Sequence, residues 1–178
     1  LFDVFCRITR ARPQAIPRMN RLAGRLMSER ERVDDSFNVF ASHRSVRFAE
    51  SEQAVPREHA AEAVRAALDV LRRHPVNFPI ELRFVAADDA LLSPSHGRDT
   101  AYIAVHVYKG MEFEPVVREV EQVLAPYGNR PHWGKRSTLT ADTLRERYPR
   151  FGDFLAIRDR HDPQRRFANA FVTRVLGS

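Results

Sequence analysis

The stretch Ala101-Tyr102-Ile103-Ala104-Val105-His106-Val107-Tyr108 decides the fold. Successive side chains of an extended chain point to opposite sides, so Ile103, Val105 and Val107 share one face and Ala104, His106 and Tyr108 the other. That alternation predicts a strand. Phe78 to Ala86 repeats it, with Ile80, Leu82 and Phe84 on one side and Glu81, Arg83 and Val85 on the other. Between the two lies Asp88 to Thr100, rich in Asp, Ser, Pro and Gly, which reads as a loop.

Helical periods flank these strands. From Arg57 to Arg73, Ala60, Ala63, Val64, Ala67, Leu68 and Leu71 form one apolar stripe, with Pro56 near its start and Pro75 just beyond its end. Phe113, Val116, Val117, Val120, Val123 and Leu124 make a second amphipathic helix, which Gly128 ends. Upstream, Phe37, Val39, Val46 and Phe48 alternate and predict a strand or hairpin over residues 36 to 48. The arginine-rich opening, residues 1 to 35, holds Pro13, Pro17 and then Leu22, Leu26 and Met27 at near-helical spacing, and reads as a short amphipathic helix with a charged connection. Beyond Lys135 the pattern predicts helices over Ala141 to Tyr148 and around Phe151 to Asp159, then a hook from Asp162 to Phe171. The order strand, helix, strand, strand, helix predicts an α+β fold, an antiparallel sheet with helices packed on one face.

Composition narrows the function classes. With 178 residues and 43% apolar content the chain can bury one substantial core. No run approaches the roughly 18 apolar residues of a membrane span, and the first residues lack a signal-peptide layout, so the chain reads as soluble or peripheral to a membrane. Cys6 is the single cysteine, which excludes an intrachain disulfide and a thiolate metal site, and fits a reducing cytoplasm. The formal charge of +6 admits a nucleic-acid-binding module as an alternative, but the arginines alternate with carboxylates along helices such as 57 to 73, the pattern of a solvated face. Of 29 basic residues only Lys109 and Lys135 are lysines.

Two places carry chemistry. Glu81 and Arg83 are two apart on a strand, so they share a face with Cα atoms about 7 Å apart. On a cavity wall the arginine would fork hydrogen bonds to a ligand while the carboxylate orients it; on an exposed face the two would form only a weak ion pair. His106 on the neighbouring strand has the same two readings, ligand contact or structure. Pro131-His132-Trp133-Gly134-Lys135 gathers the only tryptophan, a histidine, a glycine and a lysine into five positions. A glycine beside an indole permits close backbone approach to a flat ligand, and an ammonium is a compact charge suited to an anion formed during reaction.

Glu81-Leu82-Arg83, the strand with His106 and, above all, His132-Trp133-Gly134-Lys135 resemble the aldonolactone oxidoreductases, FAD-dependent flavoproteins of the vanillyl-alcohol-oxidase type that include the gulono-, galactono- and arabinono-1,4-lactone oxidases and dehydrogenases and the related alditol oxidases. Val46-Arg47-Phe48 with Glu52 and Ala54-Val55-Pro56 is similar to the family's cap-domain stretch. Asp162-Pro163, Arg166-Phe167 and Asn169-Ala170-Phe171 are similar to its C-terminal hook. The resemblance implies a substrate-binding cap over residues 1–136 and a return segment over 137–178 that docks on an FAD-binding domain outside these residues, whose seven scattered glycines form no phosphate loop. It implies hydride transfer from C2 of a sugar lactone to flavin N5, with oxygen, a cytochrome or a quinone as the final electron acceptor. Lys135, Arg83 and Glu81 would be catalytic, His106, Tyr108 and His132 would bind substrate, and Lys135, Trp133 and Gly134 would face the cofactor. Alone, the chain is expected to be inactive. Alditol-oxidising relatives usually place a threonine where Tyr108 stands, and its bulk favours a lactone over a linear polyol. At Glu52-Gln53 the family often has an aromatic residue after the glutamate.

Overall fold

The structure, a computed structural model, describes residues 2–26, 29, 31–41 and 46–177. Among the described residues four strands form one antiparallel sheet: β1 (Phe48–Pro56), β2 (Glu81–Val85), β3 (Thr100–Tyr108) and the short β4 (Arg130–Pro131), in the order β2-β3-β1-β4. All nine residues of β3 are buried, since it lies between β1 and β2. The register sets Glu50 opposite His106, Glu52 opposite Ala104, and Ala104 in turn opposite Glu81.

One sheet face carries the core. Val55, Ala101, Ile103, Val105 and Val107 pack against helix α4 (Ala60–Arg73) through Ala63, Ala67 and Val70, and against α5 (Glu114–Leu124) through Val116, Val120 and Leu124. Alanines at α4 positions 60, 63 and 67 let that helix approach closely, and each fully buried Val or Leu contributes about 1.5–3 kcal/mol relative to exposure. A 3₁₀ turn, Arg57–His59, leads from Pro56 into α4, and Gly128, at φ +60°, closes the 3₁₀ turn Ala125–Tyr127 that follows α5. The α+β arrangement, strands β2 and β3 and both long helices therefore form as expected.

Residues 36–48 depart from expectation. Ser36–Phe40 is a helix, α3, and the strand begins only at Phe48; residues 42–45 lie outside the described residues. Asp34 and Asp35 supply acceptors at the start of α3: Asn38 donates its side-chain amide to Asp34 (3.0 Å) and its backbone N–H to the Asp35 carbonyl (2.9 Å). The opening segment forms two helices, α1 (Phe2–Ala11) and α2 (Ile16–Leu26), where one was expected; Met27 is outside the described residues. Helix α1 meets the face opposite α4 and α5, because the Tyr108 hydroxyl donates to Asp3 (3.2 Å). Helices thus touch both faces of the sheet.

The C-terminal segment builds a second apolar cluster from α6 (Ala141–Arg147), α7 (Phe151–His161) and α8 (Ala170–Leu176), centred on Leu144, Tyr148, Phe151, Val175 and Leu176. In the hook, the Asp162 carboxylate accepts the Arg166 and Phe167 N–H groups (2.8 and 3.0 Å), and Asn169 caps α8 by accepting from Val172 N–H (2.9 Å). Buried Glu121 of α5 ties this segment to the sheet-bearing part, accepting from the Ser137 hydroxyl (2.6 Å) and the Thr138 N–H (3.1 Å). Arg130 reaches the carbonyls of Pro94, His96 and Arg147, pinning the 88–99 loop to α6. Nearby, burial and the Arg130 charge push the Arg98 guanidinium down to about 10. Among the described residues no helix is long and apolar enough to cross a membrane.

Candidate functional site

The sheet face turned away from α4 and α5 collects charge. On β1, Glu50 and Glu52 project to it together because they are two residues apart. Glu50 lies beside His106 of β3, with Oε1 3.3 Å from Nε2, and its other oxygen pairs with the Lys135 ammonium. The buried Glu52 accepts from Arg83 Nη2 at 2.7 Å, while Arg83 Nε lies 3.2 Å from Glu81. Arg83 stands on β2 and Glu52 on β1, so the guanidinium spans β3; Arg83 itself lies opposite Tyr102, and it reaches diagonally to the row Glu81-Ala104-Glu52, where the single methyl of Ala104 leaves the passage open. Arg83 is about half exposed, at 49%, which leaves its fork accessible from solvent.

Aromatic rings fix the histidine. Phe48 meets the His106 ring edge-on at 5.1 Å, and Phe78 stacks on it at 5.9 Å. These contacts leave the imidazole little rotational freedom, so its Glu50 contact is held by packing as well as by charge.

Lys135 reaches this face through a strapped turn. Flanking it, His132 N–H donates to the Glu52 carbonyl and Arg136 N–H to the Glu50 carbonyl, both at 2.9 Å, which continues the ladder begun by β4. Between them the Lys135 N–H closes a turn onto the His132 carbonyl (3.0 Å), and His132 Nδ1 accepts the Gly134 N–H (3.0 Å). A Cβ on Gly134 would stand 3.2 Å from the His132 ring, so the glycine makes room for that histidine. Trp133 points the other way: its indole N–H donates to the Leu92 carbonyl (2.6 Å), and its ring lies 5.3 Å from Tyr148 in the C-terminal cluster.

Glu81, Arg83, His106 and Lys135 are therefore brought to one face. His132 shapes the turn, Gly134 accommodates it, and Trp133 anchors it to the C-terminal cluster. Tyr108 shares the face of His106 but sits at the strand's end, bonded to Asp3 and beneath Arg10 (5.8 Å); burial, followed by the Asp3 contact, raises its pKa. Glu50 is the residue that sequence reading missed. The alternation Phe48, Glu50, Glu52, Ala54 held the signal, with two carboxylates in phase on one strand face.

The arrangement pairs cations with carboxylates on an open surface and offers both donors and acceptors, the requirement for gripping a hydroxyl-rich molecule. Among the described residues no group of three His, Cys, Asp or Glu side chains is placed to hold a metal ion. The model of the D-arabinono-1,4-lactone oxidase family matches residues 1–175. The chain belongs to that family. Among curated members and relatives, it is 51% identical to an L-gulono-1,4-lactone dehydrogenase of Mycobacterium tuberculosis over 98% of its own length and 41% of that protein's. Identity is 43% to an alditol oxidase of a Streptomyces species, over 71% of the chain and 31% of that protein, and 33% to an L-gulonolactone oxidase of Scyliorhinus torazame, over 92% and 39%. The chain thus spans about two fifths of the lactone-acting relatives it matches.

Proposed function

We propose that residues 1–136 form the substrate-binding cap, and 137–178 the C-terminal return segment, of an FAD-dependent oxidoreductase that oxidises an aldono-1,4-lactone of the L-gulono or D-arabinono type at C2. The observation that carries this reading is the convergence of Lys135, His106, Arg83 and Glu81 on one sheet face. FAD suits that face in one respect: the Lys135 ammonium, 28% exposed, presents a positive charge where an electron-rich ring could approach. The described glycines with positive φ, at 97, 110, 128 and 177, each sit at a separate turn or helix end, so these residues supply a wall and not a phosphate cradle. The FAD-binding domain is accordingly a separate segment or a separate chain.

What FAD supplies when bound is an acceptor for the hydride leaving the lactone C2. The chain's own residues do the rest. Arg83, oriented by Glu81 and Glu52, donates hydrogen bonds to ring and carbonyl oxygens. Glu81 accepts from substrate hydroxyls, with His106 beside them. Lys135 would stabilise the negative charge that grows on the side receiving the hydride, while the C2 hydroxyl proton passes to Glu81 as the carbinol becomes a carbonyl, and the Lys135 interaction lowers the barrier because it strengthens on the way to the transition state. His132 and Gly134 keep Lys135 at its turn, and Trp133 secures that turn from behind.

An anaerobic absorbance titration of the complete flavoprotein tests the reading. Flavin bands that bleach with L-gulono-1,4-lactone, and not with a linear alditol, are expected; bleaching by the alditol alone would move the assignment to an alditol oxidase, and bleaching by neither would overturn it. Oxygen, a cytochrome and a quinone, added in turn to the reduced protein, identify the electron acceptor by which one restores the bands.

A further inference from the structure

Resting on that reading, we propose that Glu50 and Glu52 are positioning residues which hold the site's two cations and offset their net charge, leaving the Lys135 ammonium to act at contact range, so that the face selects a neutral, hydroxyl-rich ligand over a carboxylate. Each cation of the site has its own β1 carboxylate: Lys135 pairs with Glu50, and Arg83 with Glu52. The strand's two-residue period puts both carboxylates on one face, and the same residues' carbonyls accept the Arg136 and His132 N–H groups. Side chain and main chain of β1 therefore set the position of the Lys135 turn together. Glu52 is 2% exposed and Glu50 13%, against 49% for Glu81. The two β1 carboxylates are thus built into the wall, and Glu81 is the one open to a ligand.

The charge count gives this a chemical consequence. Glu50, Glu52 and Glu81 oppose Lys135 and Arg83, three carboxylates to two cations, so these five groups sum formally to −1. A 1,4-lactone opened by water becomes an aldonate, which keeps the lactone's hydroxyls, frees the C4 hydroxyl and gains a carboxylate. Cations alone would favour the aldonate; cations already paired with carboxylates of the wall hydrogen-bond the neutral ring, and the surplus carboxylate repels the anion. Glu50 and Glu52 would therefore keep the hydrolysed form of the substrate from occupying the site.

The test uses the complete flavoprotein, with L-gulono-1,4-lactone and L-gulonate as probes. Calorimetry gives both dissociation constants, and steady-state kinetics give kcat and KM, for wild type, Glu50→Gln and Glu50→Asp. In Glu50→Gln the preference for lactone over gulonate should fall by about tenfold or more, and kcat should fall with it as Lys135 loses its anchor. Glu50→Asp keeps the charge on a shorter arm, so it should retain the preference while kcat drops. A variant that only damages the fold would weaken both ligands alike, and an unchanged lactone-to-gulonate ratio in Glu50→Gln would overturn the proposal. If Glu50→Gln does not fold, Glu52→Gln is read by the same ratio; should neither fold, tighter binding of gulonate than of lactone by wild type would overturn the charge argument. Wild type that binds lactone without oxidising it would refute the proposed function while leaving the ligand preference to be read.

Discussion

The two faces of one sheet are made from alternate residues of the same strands, yet they obey different rules. On the face under α4 and α5, Ile103, Val105 and Val107 need only be apolar and of suitable volume. On the other, Glu50, Glu52, Arg83, His106 and Lys135 each need a particular partner, because a buried or half-buried charge without one is costly. The first face stores stability; the second stores geometry. Substitutions on the two should therefore fail differently.

The largest effect should come from the apolar face. Leu124→Ala leaves a void between α5 and the sheet and should cost about 2–5 kcal/mol of stability, measured by chemical denaturation, with ligand preference unchanged in the folded fraction. A shift in ligand preference there would break the distinction between the faces. On the polar face, Lys135→Ala in the complete protein should lower turnover more than about tenfold, equivalent to more than about 1.4 kcal/mol of barrier, with a smaller drop in melting temperature than Leu124→Ala, because Glu50 keeps its His106 contact. Lys135→Arg should restore only part, since a planar fork cannot reproduce a point charge at the same spot. Unchanged turnover in Lys135→Ala would remove the residue from the chemistry.

Smaller effects sharpen the boundary. Trp133→Phe keeps the ring against Tyr148 but loses the indole donor to Leu92, for an expected loss of about 0.5–1.5 kcal/mol in denaturation and a kcat that moves less than in Lys135→Ala. The smallest effect concerns acid. Hydrogen bonds from Phe167 and Arg166, together with the Arg165 and Arg158 charges, hold the Asp162 pKa below its ordinary value. A depressed carboxylate stabilises the fold above its unfolded pKa and loses that contribution as pH falls through its folded value. The hook should thus be intact at neutral pH and loosen only in acid below the ordinary carboxylate range, read from the Arg166 and Phe167 amide chemical shifts.

The same contrast explains what could be read in advance. β2, β3, α4 and α5 were legible because each presents an apolar face at its own period, 2 or 3.6 residues. β1 was not. Phe48-Ala-Glu-Ser-Glu-Gln-Ala-Val-Pro56 is polar on both sides: Gln53, on the helix-facing side, is buried and bonds Glu121 and Asn129, while Glu50 and Glu52 serve the other face. Its strand character comes from lying between β3 and β4, a tertiary cause that no local period reports. In the site, Glu81 and Arg83 were legible as an in-phase pair, and Lys135 as a rare residue in a rare cluster. Glu50 was invisible because its meaning lies in His106 and Lys135, 56 and 85 positions further along the chain. Trp133 shows the converse: its rarity signalled importance, and the structure spends it on anchoring.

Ala104 has so far served only as the space beneath the Arg83 fork. In the language of gates, it is an aperture whose width fixes whether two strands that are not neighbours can exchange charge. Enlarging it to valine or leucine would raise a sill between Arg83 and Glu52 without touching either, splitting one electrical circuit into two. A single methyl on β3 thus governs how far the longest side chain on β2 can act.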